Sequence, residues 1–247
     1  MIIDIENQLE KYKILVDGII QVGAHKGGEV ELFKKISNGK IYLFEPQKFL
    51  YEFLKNKFLK DSNINIYNVA LGDKPGQLNM YKDKNNDSQS SSLLKPKDHL
   101  KYHSYIQFEY DSDEVIDVKT LNSYKIKDVN LICIDVQGYE LNVLKGANSF
   151  LKQCEALLIE INRKELYVGC PEVKDIDKFL KSYGFIRVVT KWWKKTIPWG
   201  DALYVKKEKI NLIVFLKLKV INFLNTKSMT YFILGKIITY KNFIIKK

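Results

Sequence analysis

A chain of 247 residues that is 46% hydrophobic can bury one sizeable α/β core with an appendage, or two small cores. Three cysteines without a paired pattern exclude a disulfide framework and a cysteine-ligated metal, and suit a reducing compartment. Lys and Arg outnumber Asp and Glu by 40 to 29, and much of the net +11 lies after residue 190, which points to a local basic surface facing nucleic acid, an anionic membrane or an anionic substrate. The first residues are acidic and carry no secretory pattern, and no uncharged apolar run reaches the roughly 18 residues of a bilayer span, so a cytoplasmic protein is expected.

Residues 4–13 read as a short polar helix. Residues 18–22 form a β-branched strand, Gly23 to Gly28 a glycine-rich turn, and Val30, Leu32, Phe33 and Ile36 fall at helical spacing. Such a turn lets backbone N–H groups approach a polar or anionic ligand group. Residues 40–45 are a second buried strand, stopped by Pro46, and Phe49, Leu50, Phe53, Leu54 and Phe58 form the apolar face of the next helix. Residues 64–73 give a third strand and its exit, and residues 77–81 a short strand. The polar stretch 82–96 is expected to be a loop that acts as a lid and orders with ligand.

Alternation over residues 115–121 predicts a strand, followed by a short helix at 121–124. Residues 129–135 are a continuous apolar run ending in Asp135, the pattern of a parallel strand buried on both faces, with Cys133 as inert core. A helix over 140–150, a buried strand over 156–161 carrying Glu160, and a helix over 175–183 follow. Residues 185–190 and 202–205 read as a closing antiparallel pair. This alternation predicts a mostly parallel α/β sheet, whose ligands sit beyond the carboxyl ends of the strands. The glycine turn, Glu45, Ala70, Asp135 and Glu160 all fall at or near such ends. An acid ending the second strand, Glu45 here, can accept both hydrogen bonds of a ribose diol.

These residues resemble the FkbM family of S-adenosylmethionine-dependent methyltransferases over about residues 19–205. The segment Ile134-Asp135-Val136-Gln137-Gly138-Tyr139-Glu140 and its continuation to Ala147 is similar to the family pattern I-D-V-E-G-x-E-x-x-V-L-x-G-A. Val22 to Glu29, Phe44-Glu45-Pro46 and Asn68 to Gly72 resemble the three earlier motifs, residues 90–93 the serine-rich segment, and residues 201–204 the final strand. Gln21 and Gln137 stand where acidic residues are common. The resemblance implies a Rossmann-like class I methyltransferase fold, a mostly parallel seven-stranded sheet with an antiparallel end, over residues 1–206. It implies methylation of a hydroxyl, often on a sugar or natural product, here within surface polysaccharide biosynthesis. Gly23, Ala24, His25, Gly28 and Glu29 would then hold the methionine end of the cofactor, Glu45 with Pro46 the ribose, and Asn68 with Ala70 the adenine.

Transfer to an alcohol requires alignment of the hydroxyl and removal of its proton. Asp135, beside both donor and acceptor, is the first candidate base and His25 the second. Ser91, Ser92, Gln137, Glu160, Trp193, Trp199 and Asp201 are candidate acceptor contacts. Asp135, Glu140 and Glu160 could alternatively gather a divalent cation. Lys191, Lys194 and Lys195 could attract a phosphorylated or nucleotide-linked sugar. The extension 207–247 reads as a cationic amphipathic helical segment that either packs on the catalytic domain or on a second copy, or lies peripherally on an anionic membrane surface such as its inner face. Two other classes compete. A nucleic-acid-binding module would use the basic tail, but its lysines alternate with bulky aliphatics, so no nucleic-acid partner is expected. A dinucleotide-dependent oxidoreductase is disfavoured by Gly23-x-His25-x-x-Gly28, which lacks the middle glycine.

Overall fold

A computed structural model describes residues 2–211 together with 215 and 218, and of residues 110–114 the backbone alone. The chain divides after Lys209, and the unit Met1–Lys209 carries everything below. The expectation for 207–247 lies almost wholly outside the described residues.

The chain opens with α1 (Ile5–Lys11), which is capped by the Asp4 carboxylate and buries Ile5 and Leu9 one turn apart. The elements β1 (Ile19–Val22), α2 (Val30–Ile36), β2 (Ile41–Phe44), α3 (Lys48–Lys57) and β3 (Ile64–Tyr67) follow. Next come β4 (Ala70–Leu71), β5 (Gly76–Asp83), α4 (His99–Tyr102), β6 (Phe108–Lys119) and β7 (Leu131–Ile134). The last are α5 (Glu140–Lys145), α6 (Asn148–Gln153), β8 (Ala156–Asn162), α7 (Val173–Lys181), β9 (Phe185–Trp192) and β10 (Trp199–Lys206). In α7, Glu172 and Asp175 close a reciprocal capping box while Val173, Ile176 and Leu180 share the buried face.

Seven strands form one sheet in the order β3-β2-β1-β7-β8-β10-β9. All neighbours are parallel except β10, which runs antiparallel to both β8 and β9. This is the expected α/β class I methyltransferase arrangement. Every residue of β1, β2 and β7 is buried, because helices cover both faces. The largest core cluster joins Ile20, Val22, Phe44, Ile132 and Ile134 of these strands to Val143, Leu144 and Leu180 of the helices.

Four features depart from the sequence reading. The expected third strand divides into β3 and β4, and β4 leaves the main sheet to pair with β6 in a second sheet, β4-β6-β5. The strand expected at 115–121 begins already at Phe108, because β5 supplies it a long antiparallel partner. The helix expected over 140–150 breaks into α5 and α6 at Gly146, whose missing Cβ would lie 1.9 Å from the carbonyl oxygen of Gly72. On α3 only Leu50 and Leu54 are buried, and Phe49 and Phe53 face outward, so the apolar stripe is wider than the sheet beneath it.

Candidate active site

Register assembles the acidic row of the site. Val22 pairs with Phe44 and with Ile134, so the next residues, Gly23, Glu45 and Asp135, emerge side by side at one rim of the sheet. Ile134 pairs with Ile159, which puts Glu160 in the same row, and Asp201 faces Glu160 across β8 and β10. A cavity of about 640 Å³ opens along this rim, within the usual size range for a small-molecule site.

At one end of the cavity the backbone does most of the shaping. Gly23 has φ +82°, and a Cβ there would lie 1.9 Å from the Asp135 carbonyl oxygen. The Glu45 carboxylate accepts from the backbone N–H of His25 at 2.8 Å and of Gln47 at 3.0 Å, tying the β1 and β2 exits together. Burial pushes the Glu45 carboxyl up to about 7. Gln21 donates from Nε2 to Glu29 Oε2 at 3.0 Å, while its Oε1 is buried without a partner, and so is Gln47 Oε1. All of these side chains line the cavity. Two unsatisfied amide oxygens beside two carboxylates form a set of acceptors. They suit the ammonium, ribose hydroxyls and amino group of S-adenosylmethionine, so the residues present fit that cofactor.

The centre is acidic. Asp135 is deep in the fold yet open to the cavity, and Gln137 Nε2 donates both to Asp135 Oδ1 at 2.8 Å and to Glu160 Oε2 at 2.9 Å. Gln137 itself sits at φ +54°, and its Oε1 accepts from the Tyr167 hydroxyl at 3.0 Å. Burial first, and then the mutual repulsion of the two carboxylates, pushes Glu160 well above the usual range; burial raises Asp135 as well. The pair therefore retains a proton readily. Burial also raises Asp201, whose carboxylate accepts from the Ile2 backbone N–H.

Gly28, Pro46, Ala70, Ser91, Trp193 and Trp199 also line the cavity. Four expected site residues do not. Ala24 is buried beneath the turn and donates its N–H to Phe44 at 3.1 Å. Asn68 Nδ2 donates to the carbonyls of Glu45 at 3.0 Å and Pro46 at 2.8 Å, so it fixes the β2 exit. The Ser92 hydroxyl is fully buried and donates to the Gln137 carbonyl at 2.7 Å. Glu140 accepts at Oε1 from the N–H groups of Val136 at 3.2 Å and Gly138 at 2.9 Å, so it braces the turn that carries Gln137. Among the described residues no group of three or more His, Cys, Asp or Glu is arranged to hold a metal ion.

The polar segment after β5 is fastened by protein contacts. Asp83 caps it through the N–H groups of Asn85, Asn86 and Ser90. At its tip, Asp87 accepts from Lys26 Nζ at 2.6 and 2.7 Å, and its carbonyl contacts His25 Nε2 at 2.6 Å. A carbonyl can only accept, so His25 Nε2 carries the hydrogen and only Nδ1 remains to act as a base. Sequence reasoning missed His99, His103, Tyr105 and Asn162, which also line the cavity. Residues 98–105 carry no motif, and only the crossover of β5 and β6 brings them to this rim.

Among the described residues no helix is long and apolar enough to cross a membrane. A profile of the methyltransferase FkbM domain matches residues 21–187. The 2-O-methyltransferase NoeI of Sinorhizobium fredii (strain NBRC 101917 / NGR234) is 22% identical over 179 residues, 68% of this chain and 72% of that protein. The crystal structure of methyltransferase FkbM from Methylobacillus flagellatus KT superposes with a TM-score of 0.51 at 15% identity, over 76% of this chain and 43% of the other. The chain thus spans less than half the length of that solved relative, and the likeness is one of fold.

Proposed function

This chain belongs to the FkbM family of S-adenosylmethionine-dependent methyltransferases, and from that premise we propose that it methylates a hydroxyl group of a sugar or nucleotide-linked sugar. The observation that carries the reading is the row Glu45, Asp135 and Glu160 along a single cavity, with acceptors for a donor at one end and a carboxylate pair at the centre. The similarity to a 2-O-methyltransferase supports oxygen as the receiving atom.

When bound, S-adenosylmethionine supplies a methyl group on a positively charged sulfur that departs as a neutral thioether. Glu45 would accept from its ribose hydroxyls, and Gln21 and Glu29 would hold its ammonium. Asp135 would take the proton of the attacking hydroxyl. Glu160 keeps its own proton, so the pair carries one negative charge before the step and none after it. Gln137 holds both carboxylates in position through one amide nitrogen. The two carboxyl groups fix the orientation of that amide by accepting from Nε2, while the single hydrogen of the Tyr167 hydroxyl is shared between Gln137 Oε1 and the Ser90 carbonyl, each at 3.0 Å.

The test is transfer of labelled methyl from S-adenosylmethionine over a panel of nucleotide-linked sugars, with the product's linkage read by NMR. A methyl ether is expected. A product methylated on nitrogen or carbon, or calorimetry showing no affinity for S-adenosylhomocysteine, would overturn the reading. Running the panel with and without EDTA reads cation dependence directly.

A further inference from the structure

The end of the cavity away from the glycine turn is built differently. His99 begins α4 and is 4% exposed, and its Nδ1 has no hydrogen-bond partner. Asn162 ends β8 and is 2% exposed, and its Oδ1 has none either. Trp199 connects them: it pairs with Asn162 across β8 and β10, and its ring stacks on the His99 ring at 5.9 Å and 15°. All three line the cavity. The wall behind is rigid. The N–H groups of Lys97 and His99 both donate to the Leu166 carbonyl, at 2.8 and 3.1 Å, and the rings of Tyr167 and Phe108 lie 5.3 and 5.5 Å from that of His99.

A folded protein rarely keeps buried polar atoms unpaired, and two in one wall of a cavity call for a partner that arrives from outside. We propose that His99, Asn162 and Trp199 form an acceptor subsite for an uncharged, hydroxyl-bearing ring, with the ring's hydroxyls supplying the hydrogen bonds that His99 and Asn162 lack. This rests on the methyltransferase reading and narrows its substrate class. None of the three side chains offers a full charge: burial lowers the His99 imidazole to about 4, so it is neutral near pH 7. His103 also lies here, its ring 5.4 Å from that of His99 and 4.8 Å from that of Trp199, and burial first and then the Lys194 charge lower its imidazole as well, so it too favours the neutral form. Tyr105 and Tyr167 are uncharged hydroxyls, and Glu160, Asp135 and Asp201 are acids. A phosphate or uronate would meet no cation there and would be desolvated without compensation. Any phosphate attached to the acceptor therefore stays outside, where Lys191, Lys194 and Lys195 are exposed.

The experiment uses the full chain saturated with S-adenosylhomocysteine. Methyl glycosides of neutral hexoses and of the matching uronic acids are the probes, read by saturation-transfer NMR. The neutral glycosides are expected to bind and the uronates not to. His99→Phe and Asn162→Leu should each weaken neutral-glycoside binding at least tenfold, leave S-adenosylhomocysteine affinity unchanged, and leave the melting temperature equal or higher. A purely structural role predicts the opposite for stability. Uronates binding as well as neutral glycosides, no binding of neutral glycosides to the native chain, or full binding by both variants would each overturn the subsite. Should one variant fail to fold, the other carries the test; loss of fold in both overturns the proposal, because removing an unpaired atom breaks no bond. Failure of S-adenosylhomocysteine to bind the native chain overturns the donor site instead, and calorimetry separates the two.

Discussion

The two ends of the cavity, proposed above as donor and acceptor subsites, are built in different ways. At the donor end, Gly23 and Glu45 emerge from adjacent strands, and the carboxylate of Glu45 is already satisfied by two backbone N–H groups. At the acceptor end, His99, Asn162 and Trp199 come from three distant segments, and two of them keep a polar atom unpaired. One end is preorganised by its own backbone. Both carry unmet hydrogen-bonding capacity into the free protein, at Gln21 and Gln47 in the first and at His99 and Asn162 in the second, a cost that a bound ligand would relieve, but the second lacks the adjacent strand ends that hold the first. A donor shared across a family suits the first design, and an acceptor that varies suits the second.

The contrast can be broken most sharply between the ends. Asp135→Asn should retain S-adenosylhomocysteine affinity and lose about 10²–10⁴ in turnover, the range for a positioned base. Equal losses of binding and turnover would instead assign Asp135 to the donor end.

Gly23→Ala attacks the preorganised side. Its Cβ would lie 1.9 Å from a backbone oxygen at a φ that disfavours any side chain, so a stability loss of about 2–5 kcal/mol is expected, with donor affinity lost too. Thermal unfolding and calorimetry read both. A variant of native stability would show that the turn can relax.

Glu45→Gln tests the satisfied carboxylate through pH. Its folded value is about 7 against an ordinary 4.5. Below 4.5 the group is protonated in both states. Between 4.5 and 7 the unfolded chain has released the proton and the fold still holds it, so stability falls as pH rises and levels off above. The fall is at most roughly 3 kcal/mol. Denaturant unfolding from pH 4.5 to 8 should show a shallower slope in the variant, with the shares from Glu140, raised to about 7 by burial, and from Glu160, Asp135 and Asp201, which burial also raises, remaining. An unchanged slope would mean Glu45 ionises normally.

Asp87→Ala should have the smallest effect. Its bond to Lys26 is exposed, with the two side chains 42% and 51% accessible in the order Lys26, Asp87, so little stability rests on it. Ser90 and Ser91 on the same segment line the cavity, and S-adenosylhomocysteine should dissociate severalfold faster in stopped-flow with the melting temperature unchanged. An unaltered rate would make the contact incidental.

The donor end was legible in the sequence because its residues immediately follow apolar runs. The period of β1, β2 and β7 dictates where each strand ends, and the residue after the end has to face the rim. Asn68, Ser92 and Glu140 show the limit of that logic. Each lies in a recognisable motif, yet each spends its polar atoms on the backbone of a neighbouring turn, which no spacing rule reveals.

The sequence by itself determined the alternation of strands and helices, the glycine turn and the acids at the strand ends, because these follow from local periodicity and backbone sterics. Only the tertiary structure decided that β4 leaves the main sheet, that Gln137 holds Asp135 and Glu160 through one nitrogen, and that Trp199 stacks on His99 while pairing with Asn162. Those outcomes depend on register and on crossovers between segments far apart in the chain. They are fixed by which polar atoms find partners when the whole fold closes.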